Sequence, residues 1–532
     1  MKLSKRWKIL LGIVGGALLA FCLVFVIGLE WASRHVRQIV MKSLQEQFNG
    51  QVKLDSIEIK TFPFVEVSGT GVTLQFEGRE DLPPLIAVKS FTARASWLGL
   101  MRLPHHISQV TLEGLQITIP TGQQASEDER AKLKKSLGRF HAVIVDDVHS
   151  ENATLTILPK QVGKEPQVFD IATLEMHPAA QAGAMTFETT LRIPTPPGDI
   201  HSSGTFGPWE PEAPGLTPVS GTYTYANADL GHFKGIAGIL SSAGSYSGEI
   251  QEISVDGTTD TPNFSVASGG HPVDLSTTFH AVVDGANGNT LLEPVDSHFG
   301  KSTIHTTGNI AGTPWTKGKT LNLQVSATQA RIEDFLLLAV KDDTPAMTGE
   351  IRLAARMILS PGPKEEIPDR LFLKGNFNID KMYFTNAGIN TKVDTLSMRS
   401  RGRTADVQPD DSIASDLKGA FQLEGGVITF SQLRFRVPGA SVQMTGTFGL
   451  QDQALDMHGT LTMEASLSQA TTGAKSFFLK AVDPLFAQPG GGGTLVHFKI
   501  TGTEQHPIYG LDLRRKNPDK PTKKELSAGA AS

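Results

Sequence analysis

Between Ser441 and Met463 the chain reads SVQMTGTFGLQDQALDMHGTLTM, with apolar residues recurring at every second position. Val442, Met444, Phe448 and Leu450 occupy even positions, while Ser441, Gln443, Thr445 and Thr447 occupy odd ones. After Gln451-Asp452-Gln453 the alternation resumes, with Leu455, Met457, Leu461 and Met463 set against Asp456, His458, Thr460 and Thr462. A period of two belongs to a strand with one apolar and one polar face. The segment is therefore read as a β-hairpin whose apolar face must be covered by something.

The same alternation runs along much of the chain. Val52, Leu54, Ile57 and Ile59 alternate approximately, Pro63 interrupts, and Val65, Val67, Val72, Leu74 and Phe76 continue the pattern. Segments such as GAMTFETTLRI and SGTYTYANADL follow, separated by Gly, Pro, Asn and Asp clusters. The 53 glycines suit tight turns between short strands better than helix interiors. A composition of 39% hydrophobic and 19% charged residues describes globular material able to build a core. A net charge of -5 gives no electrostatic case for nucleic-acid binding.

One segment breaks the β pattern decisively. Ile9 to Leu29 carries no charge, and as a helix its 21 residues span about 31 Å, close to the hydrocarbon thickness of a bilayer. Lys2, Lys5, Arg6 and Lys8 precede it, and Arg34, Arg37 and Lys42 follow, so the basic count narrowly favours a cytoplasmic N-terminus. The run is long for a cleaved signal peptide, and Glu30-Trp31-Ala32-Ser33 is a poor cleavage exit. Phe21 before Cys22, the sole cysteine, does not suit a lipoprotein site. A retained signal anchor is expected, followed by an amphipathic helix carrying Trp31, Val36, Ile39, Val40, Leu44 and Phe48.

The expected fold is mainly β: an N-terminal transmembrane helix, then an elongated, curled antiparallel β-sheet groove or sandwich with a few short helices. The expected divisions are 1-8 cytoplasmic, 9-29 anchor, 30-50 linking helix, and β regions at 51-165, 166-360 and 361-513, before a disordered tail at 514-532. SEDERAKLKKSLGRF, from Ser126, and RIEDFLLLAV, Arg331 to Val340, read as helices. Phe477, Phe478, Val482, Leu485 and Phe486 mark a short amphipathic helix bent at Pro484, serving either as a lid on a sheet end or as a docking element. VTLEGLQITI at Val110–Ile119 and VHSENATLTI at Val148–Ile157 share residues at matching places, each with a turn-prone Gly114 or Asn152 before its last strand.

No motif carries chemistry. GTPWTKGKT has Thr313 where a phosphate loop needs glycine, and GSYSG has Tyr246 where a nucleophile elbow needs serine. His105 and His106 are adjacent and point to opposite faces of a strand, which does not suit a metal site. Asp146-Asp147 and Asp410-Asp411 sit in turn-like contexts that capping explains. No catalytic residue, metal or cofactor is expected.

So many half-apolar strands cannot be covered by a few short helices. They must pack sheet on sheet, or form a trough whose inner face is solvated by lipid chains. The anchor, FNGQVKLDSIEIKTFPFVEVSGTGVTLQF, the late GGVITFSQLRFRVPGASVQMTGTFGLQDQALDMHGTLTM and the ending GGGGTLVHFKITGTEQHPIYGLDL together resemble the AsmA family of bacterial envelope proteins. That resemblance implies a single-pass inner-membrane protein with its bulk in the periplasm, of the bridge-like lipid-transfer type. It also implies phospholipid partners, a role in outer-membrane homeostasis and an envelope protein at the distal end. The candidate lining is Val72, Leu74, Phe76 and the eight apolar hairpin residues from Val442 to Met463. Two alternatives stay open: a non-enzymatic scaffold or outer-membrane assembly factor with a closed β-sandwich, and an enzyme whose site is assembled from distant residues.

Overall fold

Alternating sequence becomes antiparallel strand almost wherever it occurs. The computed structural model describes residues 50–512 except 77–82, 85, 102–104, 120–142, 159–165, 180–182, 195, 209–213, 234, 267–269, 286, 313–317, 342, 363–366, 403–412, 467–492 and 504–505. The run Ile9–Leu29, the linking helix up to Asn49, the 126–140 helix, the Phe477–Phe486 segment and the 514–532 tail lie outside the described residues. Among the described residues no helix is long and apolar enough to cross a membrane. The chain divides into two compact units, the first holding residues up to Ala228 with Ser242–Asp256 and Val282–Asn289, the second the remainder.

In the first unit, β1 (Gly50–Lys53) and β2 (Ser56–Lys60) lie end to end along β3 (Val65–Phe76), which pairs in turn with β4 (Ile86–Ala95). Strand β5 (His105–Ile107) runs parallel to β8 (Val143–Val145) in a small separate sheet. Strands β6 (Gln109–Glu113) and β7 (Gln116–Ile119) pair antiparallel with β4 on one side and parallel with β9 (Val148–Ile157) on the other. From β9 the chain meanders through β10 (Gln167–Pro178), β11 (Met185–Pro194), β12 (Pro197–Phe206) and β13 (Pro218–Asp229).

The two similar segments of the sequence turn out to be neighbours. Val110 pairs with Val148, Glu113 with Glu151, Ile117 with Leu155 and Ile119 with Ile157, all at one constant offset. Gly114 and Asn152 both adopt positive φ, at 63° and 53°. The shared pattern thus gives two adjacent strands the same kink at the same level, and the parallel ladder passes it in register. A parallel pair cannot close through a hairpin, so the chain between Ile119 and Val148 is the required crossover. The core here gathers Val88, Leu115, Ala153 and Ile171.

Strands β14 (Ile236–Ala237), β15 (Ile239–Glu249), β16 (Glu252–Val266) and β17 (Val273–Val283) follow. The second unit then continues as an eleven-strand antiparallel meander. Its strands are β18 (Thr290–Phe299), β19 (Ser302–Gly312), β20 (Lys319–Arg331), β21 (Met347–Leu359), β22 (Leu371–Phe384) and β23 (Ser415–Glu424), then β24 (Val427–Val437), β25 (Ala440–Gly449), β26 (Ala454–Met463), β27 (Thr494–Thr503) and β28 (Pro507–Leu511). The expected helix at 331–340 is present as Ile332–Ala339. A second helix, Ala387–Ser400, has no counterpart in the sequence reading.

Gly114 supplies a direct test of the matched kinks. A Cβ there would add left-handed strain and approach the Lys89 Cβ at 3.0 Å. Gly114→Ala is expected to destabilise the protein by about 1 kcal/mol, whereas Asn152→Gly should leave it unchanged or slightly more stable, as read by urea denaturation.

Candidate functional site

Register decides which side chains share a face. Across the second unit, Leu323, Met357, Leu373, Leu423, Ile428, Phe448 and Leu455 are successive cross-strand partners from β20 to β26. Six residues further along the strands, or seven on the bulged β24, lies the row Ile351, Ile379, Leu417, Phe435, Val442, Leu461 and Val496. The intervening row on the opposite face reads Gln324, Arg356, Lys374, Gln422, Thr429, Thr447, Asp456 and Thr501. One face of this ladder is therefore apolar row after row, and the other is polar. The ring of Phe377 lies over Gly419 and that of Phe498 over Gly459, where any Cβ would clash at 2.5 and 2.6 Å.

Among the described residues, helices Ile332–Ala339 and Ala387–Ser400 pack on one end of the apolar face. Bulges fall between Ala327 and Ala330, between Thr348 and Glu350, and between Ile379 and Met382 on three adjacent strands, bending them where the first helix packs. Ala327, Ala330, Ile351, Ile379 and Met382 form a buried cluster there, with Phe335 of helix Ile332–Ala339 packed against it. Phe335 meets Phe299 edge-on at 5.3 Å. The helix is tied down by its first turn. The Gly349 N–H, at a bulge, donates to Glu333 at 3.1 Å, and Asp334 accepts from Ser302 Oγ at 2.6 Å and from the Lys301 N–H at 2.8 Å.

Helix Ala387–Ser400 covers the next stretch of the same end. Asn386 caps it by accepting from the Gly388 and Ile389 N–H groups. Val393 packs with Val437, Ala440 and Met463, and Ser397 donates to the Pro438 carbonyl at 2.7 Å. The helix escaped the sequence reading because Asn386 was its sole clear signal. Its interior is polar and β-branched, and Thr391 and Thr395 turn their hydroxyls back to the Ala387 and Thr391 carbonyls.

The hairpin from Ser441 to Met463 brings seven of its eight named apolar residues onto the apolar face. Val442 opposes Leu461 and Phe448 opposes Leu455, with Met444 opposite Gly459 and Met457 opposite Gly446. Met457 and Met463 are buried, whereas Val442, Met444, Phe448, Leu455 and Leu461 remain half-buried. Leu450 lies in the turn, is 39% exposed, and is fastened by its N–H to the Gly426 carbonyl. In the first unit, Val72 and Leu74 share a face with Val88 and Ile86, and Leu74 also opposes Val52. Phe76 pairs with Gly50 at the end of β3. Phe477, Phe478, Val482, Leu485 and Phe486 lie outside the described residues.

The rejected motifs also acquire positions. Gly244–Gly248 falls inside strand β15 rather than at a strand-to-helix turn, and Tyr246 OH bonds Ser202 Oγ at 2.7 Å. Burial pushes the Tyr246 phenol above its usual pKa, against the lowering effect of that bond. His106 meets Asp146 at 3.0 Å on an exposed strand end. A shallow polar recess between Arg434, Gln443 and His458 opens on the polar face. His458 lies there between Asp512, 2.8 Å from Nδ1, and Asp456, 3.2 Å from Nε2. Among the described residues, no three His, Cys, Asp or Glu side chains are placed to hold a metal. No protein-family model matches the chain, and no curated protein matches it.

The helix tie at Glu333 sets a pH dependence. Burial pushes this carboxyl up, but hydrogen bonds from Arg331, its own N–H and the Gly349 N–H prevail and hold it below the ordinary value of 4.5. A lowered folded-state pKa stabilises the fold above 4.5, and that contribution is lost as pH falls through the lowered value. The stability difference between the native protein and Glu333→Gln should accordingly be greatest near neutrality and shrink below about pH 4.5, in denaturation curves taken across pH.

Proposed function

We propose that this chain is a non-enzymatic, membrane-anchored envelope protein whose apolar sheet face binds phospholipid acyl chains and conducts them between membranes. The observation that carries this reading is the apolar face of β20 to β27, continuous from partner to partner and, among the described residues, packed under helices Ile332–Ala339 and Ala387–Ser400 at one end. Residues such as Phe448 and Leu455 stay half-buried in the folded chain. An acyl chain laid along that face would remove their remaining apolar surface from water.

The energetics suit the task. Moving an acyl chain from bilayer to water costs about 0.8 kcal/mol per CH₂, so a groove lined by apolar rows lowers that barrier by replacing the bilayer interior. Unbranched Met444 and Met457 adapt to chains of varied shape. Ile9–Leu29 anchors the protein in the inner membrane with the bulk in the periplasm. The resemblance of both chain ends to the AsmA family supports the same assignment, including an envelope protein partner at the distal end.

The test is full-length protein purified from a bacterial envelope, native mass spectrometry and lipid extraction. Native protein should carry stoichiometric phospholipid. Phe448→Asp, which puts a charge on the apolar face, should lower bound lipid several-fold. Thr447→Asp, one residue away on the polar face, should retain it. A lipid-free, compact, monodisperse native protein would replace this reading with that of a closed scaffold.

A further inference from the structure

The first unit presents a second apolar surface, which unlike the half-buried sheet face is exposed. Phe62 is 84% exposed, Leu98 68%, Trp97 46% and Phe64 42%. They sit at one strand end: Phe62 and Phe64 in the loop between β2 and β3, and Trp97 and Leu98 in the short helix Trp97–Met101 just after β4. Register brings the two segments together, since Lys60 opposes Glu66 and Val65 opposes Ala95. Trp97 Nε1 donates to the Thr61 carbonyl at 3.1 Å and ties the helix to the loop.

We infer that Phe62, Phe64, Trp97 and Leu98 form a docking tip that inserts into the interfacial region of a phospholipid bilayer. Three observations favour a lipid surface. The indole N–H is already satisfied within the protein, so the ring brings no unpaired donor into an apolar phase. The rim is cationic: Arg94 stacks over Phe64 at 5.6 Å, and with Lys60 it flanks the single carboxylate of Glu66. Two exposed cations against one anion complement the negative surface of a phosphatidylglycerol-containing leaflet. Aromatic rings with a basic rim match the chemistry of the headgroup boundary.

Chain length permits the contact. Twenty residues, 30–49, separate the charge-free run from β1, a tether of about 30 Å as the expected helix and at most about 66 Å when extended. Strand β3, whose far end pairs with Gly50, spans about 40 Å, so the tip reaches a bilayer holding Ile9–Leu29 when β3 is inclined to the membrane or the tether is extended. Tethering replaces a weak bimolecular encounter by an intramolecular one. This inference rests on the anchored part of the proposed function and not on lipid being carried by the sheet.

The experiment uses the full chain in a Cys22→Ser background, with Phe62→Cys, Leu98→Cys or, as a control on the polar face, Gln443→Cys. Each is labelled with an environment-sensitive fluorophore and mixed with vesicles of phosphatidylethanolamine and phosphatidylglycerol containing spin-labelled acyl chains. Labels at 62 and 98 should be quenched several-fold more strongly than the label at 443. Protein that floats with the vesicles while 62 and 98 are quenched no more than 443 overturns the docking tip alone. A blue-shifted but unquenched label at 62 also overturns it, in favour of a protein partner. Protein that does not float with vesicles overturns both the tip and the anchor.

Discussion

Everything in this protein depends on antiparallel strands staying in register. Side chains alternate at each residue, so a slip by one position would move every apolar residue of a strand to the polar face. Across β20 to β27 no such slip occurs. Leu373 meets Leu423, Leu423 meets Ile428, and Ile428 meets Phe448, strand after strand. Where the register does shift, at the bulges of β20, β21, β22 and β24, the extra residues bend the strands and the apolar set resumes on its original face.

The bulges and the helices are linked. A bulge frees a backbone N–H that the ladder no longer uses, and at Gly349 that donor is satisfied by Glu333 in the first turn of the covering helix. The same helix sends Asp334 to the β18–β19 turn and Phe335 into a cluster lined by small Ala327 and Ala330. Polar ties thus hold an apolar helix at one end of a face whose remaining rows carry Phe448, Leu455 and Met357, all half-buried among the described residues. Among the described residues the helical covering stops at one end of the face, and the proposed binding of acyl chains rests on the half-buried rows beyond it.

Much of this was legible in the residues. The alternation from Val442 to Met463 specified two strands and the side chains they share, and the paired patterns at Val110 and Val148 marked one strand-turn pattern used twice, whereas their lying side by side came only from the structure. The Ile332–Ala339 helix was visible because Glu333 and Asp334 precede an apolar run. The Ala387–Ser400 helix was not, because tertiary packing of Val393 and Met398 overrides a weak helical pattern. Leu450 was misplaced by the same simplicity of pattern: it keeps the even-numbered phase, but the strand has already turned. The exposed cluster around Phe62 was invisible because Phe62 and Trp97 are 35 residues apart, and an apolar residue near a strand end reads as core by default.

The sequence by itself determined that the chain is mainly β, which residues of each strand share a face, and where glycine or asparagine must kink the backbone. These follow from local rules, since a period of two and a left-handed turn are properties of a few consecutive residues. Only the tertiary structure decided which rows are buried under helices, which stay half-buried, and which apolar residues stand out at a strand end. Those outcomes depend on contacts between residues far apart in the chain, such as Glu333 with Gly349 and Trp97 with Thr61, and local periodicity carries no record of them.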